Sequence, residues 1–328
     1  MIPTLTNPLV SIVVPVFNAK DHVDTCLDSL CTQDFHNIEV IAVNDGSTDG
    51  SGDLLVQRAT HDPRVIVLTH PGNSNRGVAA SRNLGLSRAR GAYLWFVDAD
   101  DRVLPGAVSR LLDVAQERSA DVVAFNAEES GAGLRPRRIY QKPKPVNNLT
   151  GEAWFTLSCA QKECPHLVWL RFYRHAYLKE CGLQFREGIV HEDIAWITEG
   201  DLRARHFVYC EVVLYEYLRN PQSITGSGSD TSLMRRAESM FDVVDQLRDI
   251  NARLSLSAET RNLLRAEWVG QGLQVDRLRR GLTNPAMRKA IDDRLKRTDF
   301  WRVLWKDATR LTRKRQLAQV MLRDLFQG

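Results

Sequence analysis

The N-terminal part of the chain alternates short apolar runs with stretches of helical periodicity. The apolar runs cover 9–16, 38–43, 65–68, 93–97 and 122–125, and they are rich in β-branched and aromatic residues, as buried strands are. Between them, helical patterns extend over about 21–31, 51–60, 77–89 and 105–117. This alternation predicts an α/β fold in which a mostly parallel central sheet carries helices on both faces.

The pattern changes after residue 128. Residues 131–145 combine glycines and prolines with several lysines and arginines, which predicts an exposed, irregular connection. Residues 226–229 resemble a linker, and 231–328 shows helical patterns throughout. The expected divisions are an α/β domain over 1–226, with parts 1–128 and 129–226, and a helical region over 227–328.

Polar residues follow three of the predicted strands, at 17–18, 44–47 and 98–100. Because ligands of parallel α/β sheets bind beyond the carboxyl ends of the strands, these three loops are expected to converge on one binding site. Within the second loop, Gly46 permits a tight turn. The Asp45 carboxylate could accept hydrogen bonds from a nucleobase or a ribose hydroxyl. A plain turn with helix-capping residues is the alternative for this loop.

Asp98, Ala99 and Asp100 directly follow the apolar run at 93–97. If the backbone stays extended, both carboxylates point to one side. Two such carboxylates form a site for a hard cation such as Mg²⁺ or Mn²⁺, whose natural ligand would be a phosphate or diphosphate. A solvated acidic loop is the alternative.

Residues 75–85 run from a loop into a helix. Gly77 admits close approach of a ligand to the backbone, while the helix N-terminus and Arg82 favour an anion. The alternative is a surface helix with solvated arginines, which suits Arg88 and Arg90 better than Arg82 because small residues flank Arg82.

Together, segments 11–18, 43–50, 77–85 and 96–101 resemble, in order and spacing, the family 2 glycosyltransferases, which have the Rossmann-like GT-A fold. Segments further along the chain are similar to bacterial members that build lipopolysaccharide, capsule or exopolysaccharide. These segments are 168–173, 185–188, 192–196 and 219–225. One departure is Leu170-Arg171, where many relatives carry a polar residue and a lysine, so a donor or acceptor contact is in doubt there.

The resemblance implies an inverting enzyme that uses Mn²⁺ or Mg²⁺ and a nucleotide sugar, usually a UDP-sugar, with a hexose or N-acetylhexosamine to transfer. Residues 1–128 would bind this donor and 129–226 a glycan or glycolipid acceptor. Asp45 would contact the base, Asp98 the ribose or sugar, and Asp100 the metal. The other expected donor-site residues are Pro15, Phe17, Asn18, Gly77, Arg82, Ala99 and Arg219.

Inversion also requires a base for the acceptor hydroxyl, and Glu192-Asp193 is the candidate. Ile194 and Ile197 indicate a helix that begins here, with both acids in its first turn. By resemblance Asp193 is the base and Glu192 its neighbour. An ordinary acid pair at a helix N-terminus is the alternative. His191 is a third metal ligand, an acceptor contact or a surface residue, and Tyr217 or Arg219 could close over the diphosphate.

Composition narrows the class further. The 328 residues are 43% hydrophobic and 26% charged, typical of a soluble globular protein, and the net charge of +4 does not indicate nucleic-acid binding. The chain shows no secretory signal and no run of 18 apolar residues, so we expect a cytoplasmic protein without a membrane span. The six cysteines contain no C-x-x-C pair and are expected to be reduced thiols.

The C-terminal segment 279–328 holds 14 lysines and arginines against 5 aspartates, interleaved with aromatic and aliphatic residues. A basic amphipathic segment of this kind is typical of binding to an anionic membrane surface, here the inner face of the cytoplasmic membrane. The alternative is packing on the catalytic domain or in a homo-oligomer.

Two other classes of function fit the sequence, and a third, which is also enzymatic, is considered with them. One is a nucleotide-sugar-binding protein without catalysis, and another is a nucleic-acid-binding protein that uses the basic tail. A nucleotidyltransferase would carry a glycine-rich loop after the first strand, but residues 17–21 contain no glycine.

Overall fold

The computed structural model describes residues 7–131, 134–219 and 228–327. Packing divides the chain into two compact units. The first comprises Met1–Gly188 with Glu199–Asn220, and the second comprises Ile189–Thr198 with Pro221–Gly328. The expected linker at 226–227 and the segment 220–225 lie outside the described residues.

The first unit is built on one nine-stranded sheet. Its order is β3-β2-β1-β4-β8-β6-β9-β5, and β7 pairs with β6. Strands β1 to β4 are mutually parallel, β8 is antiparallel to β4 and β6, and β9 is parallel to β6. The strands are β1 Val10–Val16, β2 Ile38–Asn44, β3 Val65–Thr69, β4 Tyr93–Phe96, β5 Arg102–Val103, β6 Val122–Ser130, β7 Arg137–Arg138, β8 Arg171–Arg174 and β9 Phe207–Leu218.

Helices follow most of the strands of the first unit. They are α1 Val23–Cys31, α2 Ser51–His61, α3 Val78–Arg88, α4 Ala107–Glu117, α5 Gly151–Gln161, α6 His175–Cys181 and α7 Glu192–Arg203, the last of which begins in the second unit. Short 3₁₀ turns occupy Pro71–Asn73 and Val168–Leu170.

The central strands are buried along nearly their whole length, since helices cover both faces of the sheet. All seven positions of β2 are buried, which explains why this strand is a continuous apolar run rather than an alternating one. Helix α3 lies close to β1 because Gly85 has no side chain. A Cβ there would come 2.3 Å from a Val13 methyl group.

The observed architecture confirms the expected α/β class with a mostly parallel sheet. Each predicted strand and helix up to residue 125 has its counterpart within two residues, apart from β6, which continues to Ser130. The expectation of an extended backbone through Asp100 is wrong. Strand β4 ends at Phe96, and the amide of Asp101 donates to the carbonyl of Asp98 at 3.2 Å, because the chain turns sharply there to enter β5.

The second unit is helical after residue 228, as predicted. Its helices are α8 Asp230–Arg253, α9 Ala258–Gly281, α10 Pro285–Arg297, α11 Phe300–Asp307 and α12 Leu311–Gln327. Side chains of Ser229, Ser257 and Asn284 cap α8, α9 and α10. Across the described ranges, no helix is both long and apolar enough to span a bilayer.

The apolar residues of the basic C-terminal segment fall into two groups. Phe300 contacts Phe241 with ring centroids 4.6 Å apart, and Trp301 donates to Asp324 at 2.8 Å, so both belong to the packing of these helices. Trp305, Leu311 and Leu322 remain exposed. Packing thus accounts for part of the pattern that suggested membrane binding and leaves an apolar remainder on the surface.

Candidate active site

The loops after β1 and β2 are tied to each other by direct hydrogen bonds. The Asn18 side chain accepts from the amide of Thr48 at 2.9 Å, and the Ser47 hydroxyl accepts from the amide of Asn18 at 3.1 Å. Asn18 has a φ of 48°, a left-handed conformation that Asn tolerates better than most residues. Phe17 is 46% exposed beside it, and Pro15 is partly exposed near the end of β1.

Asp45 fastens the second loop to the loop before α3. Its buried carboxylate accepts from the amides of Arg76 at 2.7 Å and Gly77 at 2.9 Å. The nearby Gly46 must be a glycine, since a Cβ there would lie 2.7 Å from the backbone of Asn75. These bonds give Asp45 a positioning role that the sequence did not reveal, and its predicted contact with a nucleobase stays a prediction.

Arg82 projects from α3 to the loop after β4. Its guanidinium is 5% exposed, donates to the Asp98 carboxylate at 2.9 Å and lies 5.5 Å from the centre of the Phe185 ring. The alternative of a solvated surface arginine is therefore excluded for Arg82. The buried cation is placed next to the acidic residues and can also face an anion bound there.

We call residues 98–101 the acidic turn. Burial, and next the charge of Asp98, raise the pKa of Asp100, although His22 opposes this in part. Burial and both neighbouring carboxylates raise the pKa of Asp101 well above its usual value. Ala99, between Asp98 and Asp100 in the chain, is buried. The turn therefore brings three carboxylates together, with Asp101 buried and Asp98 and Asp100 partly exposed.

Asp101 anchors the acidic turn to β9. Its carboxylate accepts from the hydroxyl of Tyr215 at 2.7 Å and from the amide of Leu218 at 2.8 Å, and the amide of Asp98 donates to the same hydroxyl oxygen at 3.2 Å. Sequence reasoning missed this link, because Tyr215 lies 114 positions away in an apolar run. The signal that the sequence offered for this link was Asp101, a third acid directly after the D-x-D pair.

The acidic turn has the chemistry of a divalent-cation site. Asp98 and Asp100 offer hard oxygen ligands, and a cation bound between them would offset both the burial and the charge of Asp98 that raise the pKa of Asp100. Across the residues that the structure describes, no group of three or more His, Cys, Asp or Glu side chains could hold a metal by itself. A bound ion would therefore take its remaining ligands from water and a diphosphate.

Glu192 and Asp193 occupy the first turn of α7, as predicted. Glu192 is buried and Asp193 is partly exposed. His191 precedes them with a φ of 63°, and its carbonyl accepts from the amide of Ile194 at 3.3 Å. The positive end of the helix favours the ionised form of carboxylates in this position. The roles of base and metal ligand remain predictions for these three residues.

Arg219 follows β9 at the same edge of the sheet. Its amide donates to the carbonyl of Ser130 at 2.8 Å, and its guanidinium is 61% exposed and lies 3.4 Å from the Glu129 carboxylate. The half-buried Tyr217 lies nearby, with a pKa raised first by burial and then by the acidic turn and Glu129. Donor contact by Arg219 stays a prediction.

Arg171, the departure from the family pattern, is a structural residue. Its buried guanidinium donates to both oxygens of Asp201, at 2.8 Å for the shortest contact, and to the Tyr140 hydroxyl at 2.9 Å. A side chain so fully occupied is held in the interior of the first unit, and we assign it no ligand.

The chain matches a known protein family. The model of the family described as glycosyl transferase family 2 matches residues 11–175, which is half of the chain, and the chain belongs to this family.

Two relatives are glycosyltransferases of uncharacterised role. YibD of Escherichia coli K12 is 34% identical over 227 residues, covering 67% of this chain and 64% of YibD, and EpsJ of Bacillus subtilis is 31% identical over 232 residues, covering 66% and 63%. This chain therefore spans just under two thirds of both. The poly(ribitol-phosphate) beta-glucosyltransferase of Bacillus spizizenii is 34% identical over 64% of this chain and 32% of that protein.

Solved structures show the same fold. Staphylococcus aureus TarS 1-349, crystallised with UDP-GlcNAc, matches with a TM-score of 0.56 and 19% identity over 90% of each chain. The mannosyltransferase PcManGT of Pyrobaculum calidifontis, crystallised with GDP-Man and Mn²⁺, matches with a TM-score of 0.54 and 15% identity over 99% of this chain and 90% of that one. The expectation of a GT-A fold is confirmed.

Proposed function

We propose that the protein is a metal-dependent inverting glycosyltransferase. It transfers a hexose or N-acetylhexosamine from a UDP-sugar to a hydroxyl of a glycan or glycolipid in bacterial cell-envelope polysaccharide synthesis. The observation that carries the proposal is the acidic turn, whose carboxylates are held by Arg82 and Tyr215 at the carboxyl edge of a GT-A sheet. The choice of a UDP-sugar as donor is supported by TarS, which was crystallised with UDP-GlcNAc. The role in cell-envelope synthesis is supported by the Bacillus relative, whose name gives poly(ribitol-phosphate) as its acceptor.

The donor side of the mechanism follows from charge. Departure of UDP develops negative charge on the β-phosphate oxygens, and Asp98 and Asp100 would hold a divalent cation whose Lewis acidity offsets that charge. Arg82 is buried next to Asp98 and adds a fixed positive charge on the same side. Arg219 is exposed enough to reach the diphosphate from the opposite loop.

The acceptor side requires a base. Asp193 takes the proton of the acceptor hydroxyl, and the oxygen attacks the anomeric carbon opposite the departing UDP, which inverts the configuration. Its place in the first helical turn favours the ionised carboxylate that this step needs. Glu192 supports the same turn from its buried position.

The direct test of catalysis is Asp193→Asn, compared with the control Glu259→Gln, which alters an acid in the first turn of α9. We expect transfer of radiolabelled sugar from a panel of UDP-sugars to octyl glycosides to fall about 10²–10⁴-fold in Asp193→Asn, with UDP-sugar affinity unchanged. Equal transfer by wild type and Asp193→Asn excludes the base role. Donor binding by the wild type without any transfer favours the non-catalytic alternative.

We further propose that the helical region places the enzyme at the inner face of the cytoplasmic membrane. The exposed Trp305, Leu311 and Leu322 lie among several lysines and arginines, a combination suited to anionic headgroups. Binding to phosphatidylglycerol vesicles, and its loss when these three become serine, is the expected result. Binding to RNA or DNA instead, with a steep salt dependence, would support the nucleic-acid alternative.

A further inference from the structure

A short basic hairpin lies at the same edge of the sheet as the acidic turn. Strands β8 and β7 pair with one side of β6, β8 at positions 122–124 and β7 at 128–129, while β9 occupies the other side along its whole length. Strand β7 therefore lies on the same side of β6 as β8 does, but nearer to the carboxyl end of β6. The other neighbour of β8 is β4, which leads into the acidic turn.

We call residues 134–138 the hairpin arm, and its base is firmly held. The buried Asn126 side chain donates to the carbonyl of Tyr140 at 2.8 Å and accepts from its amide at 3.0 Å. The amide of Ile139 donates to the carbonyl of Ala127 at 3.0 Å. The ion pair of Arg219 with Glu129 is formed on β6 next to the same hairpin. The arm therefore stands on a rigid base.

The arm carries three exposed cations, of which Arg137 and Arg138 stand opposite Glu129 and Glu128 in the β6–β7 register. Arg135, Arg137 and Arg138 are all exposed. Among the residues that the structure describes, none forms a side-chain hydrogen bond or an ion pair with these three guanidinium groups. Some arginines of the first unit are paired, for example Arg64 with Asp62 and Arg174 with Asp121, while others, such as Arg88, Arg110 and Arg118, are exposed like those of the arm. The arm differs in that its three exposed guanidinium groups lie within a span of four positions that includes the anchored strand β7, at the carboxyl edge of the sheet, which suits contact with an anion.

Tyr217 connects this surface with the acidic turn. Its ring stacks on Trp169 with centroids 5.5 Å apart, Tyr217 lies opposite Glu129 in the β6–β9 register, and the next residue, Leu218, donates its amide to Asp101 of the acidic turn. A half-buried aromatic ring between the donor carboxylates and the hairpin arm is suited to contact with the apolar face of a sugar ring.

We propose that the hairpin arm recognises the acceptor and that this acceptor is an anionic glycan, with phosphodiester or carboxylate groups along its chain. The proposal rests on the proposed function, because it assigns the second substrate of the same site. The glycan would extend from the acidic turn past Tyr217 to the arm. Guanidinium groups bind both kinds of anion in a bidentate manner, and a neutral glycan would leave them without a counter-charge.

The observations favour an acceptor over two other anions. The diphosphate of the donor already has Arg82 and the cation site of the acidic turn to balance its charge. A membrane surface is less suited to the arm, because Leu134 is the one aliphatic side chain among these five residues apart from the ring of Pro136. Both alternatives are separate outcomes of the experiment below.

The experiment compares wild type with the triple variant Arg135→Ala/Arg137→Ala/Arg138→Ala. The control Arg88→Ala/Arg110→Ala/Arg118→Ala removes three exposed arginines elsewhere in the first unit, with the same change in net charge. Binding of three oligosaccharide probes of equal length is measured by calorimetry at low salt with UDP and Mn²⁺ present. The probes are neutral dextran, oligogalacturonate and poly(glycerol phosphate).

We expect at least one anionic probe to bind wild type about tenfold more tightly than dextran, and the triple variant to lose this preference while the control keeps it. The stronger anionic probe identifies carboxylate or phosphodiester as the natural group. The preference should also decrease as salt is added. Equal binding of all probes by wild type, or the same loss in the control, overturns the proposal.

Donor affinity separates this proposal from the proposed function. Unchanged UDP affinity with Mn²⁺ in the triple variant supports an acceptor role, and a weaker UDP affinity would show that the arm covers the donor instead. Loss of binding to phosphatidylglycerol vesicles with unchanged oligosaccharide binding would assign the arm to the membrane. If wild type binds no UDP but still prefers anionic probes, the proposed donor chemistry is wrong, whereas the proposed role of the arm in binding an anionic glycan is supported.

Discussion

Two of the places where the first unit buries charged side chains differ in how that charge is balanced. The guanidinium of Arg171 forms a bidentate ion pair with the Asp201 carboxylate and also donates to the Tyr140 hydroxyl. In the acidic turn, Asp98, Asp100 and Asp101 stand together, and the side-chain cation hydrogen-bonded to them is Arg82. Burial, and next the charge of Asp98, raise the pKa of Asp100.

This difference distinguishes a structural cluster from a binding site. A matched buried pair is complete in the protein alone, and its removal damages the fold. A group of like charges is destabilising in the empty protein and becomes favourable when a cation or cationic ligand arrives.

Removing one partner of the matched pair should have the largest effect. Arg171→Ala leaves the Asp201 carboxylate buried without its cation, and we expect a loss of about 3–5 kcal/mol in the free energy of unfolding, measured by urea denaturation. The double variant Arg171→Met/Asp201→Leu removes both charges and should recover most of this loss. A single variant as stable as wild type would show that the pair is hydrated and not structural.

Tyr215→Phe tests the anchor between the acidic turn and β9. The variant removes the donor at 2.7 Å from the buried Asp101, so we expect a destabilisation of about 1–2 kcal/mol by denaturation. Tyr93→Phe, at a ring that stacks on Phe172, is the control and should change stability by less than about 0.5 kcal/mol. Equal effects of the two changes would mean that Asp101 does not depend on the hydroxyl.

Asp100→Asn tests the imbalance of charge itself. Removing one of three neighbouring carboxylates relieves like-charge repulsion, so the metal-free variant should be more stable than wild type by about 1 kcal/mol in thermal unfolding. Mn²⁺ should raise the melting temperature of wild type but not of the variant. A variant that is less stable than wild type without metal would place Asp100 among the structural acids.

The Asp62–Arg64 pair gives the smallest effect and a test by pH. Hydrogen bonds from Arg64 lower the pKa of Asp62 to about 2 from its usual 3.8. The stabilisation is therefore present above about pH 4 and disappears as the pH falls toward 2. Asp62→Asn should be less stable than wild type by about 1 kcal/mol at pH 6, since the pair is partly hydrated, and equal to it near pH 2.

Local patterns predicted the parallel half of the sheet because each of its strands is a continuous apolar run followed by a helix. The strand–helix alternation up to α4 needs only this periodicity. Strands β8 and β9 were not predicted. The segments before them show no clear strand–helix alternation, and both strands pair with residues that are distant in the sequence. Arg171 in β8, for example, lies opposite Ala124.

The site was predicted less completely than the fold. The polar residues after β1, β2 and β4 were correctly selected by their position at strand ends. Their mutual bonds, such as Asp45 to the amide of Gly77, depend on tertiary structure that no local pattern encodes. The assumption of an extended acidic segment failed because Tyr215 and Leu218 draw Asp101 into a turn. Arg171 was noted as a departure from the family pattern, and its buried pairing with Asp201 gives it a structural role.

The proposed donor site is tested by calorimetric titration of UDP, GDP, CDP and ADP into wild type and Asp100→Ala, with and without Mn²⁺. We expect UDP to bind wild type only when Mn²⁺ is present, and this binding to disappear in Asp100→Ala. If no nucleoside diphosphate binds wild type with any divalent metal, or if UDP binds wild type and Asp100→Ala equally well, the acidic turn is not a metal-dependent donor site.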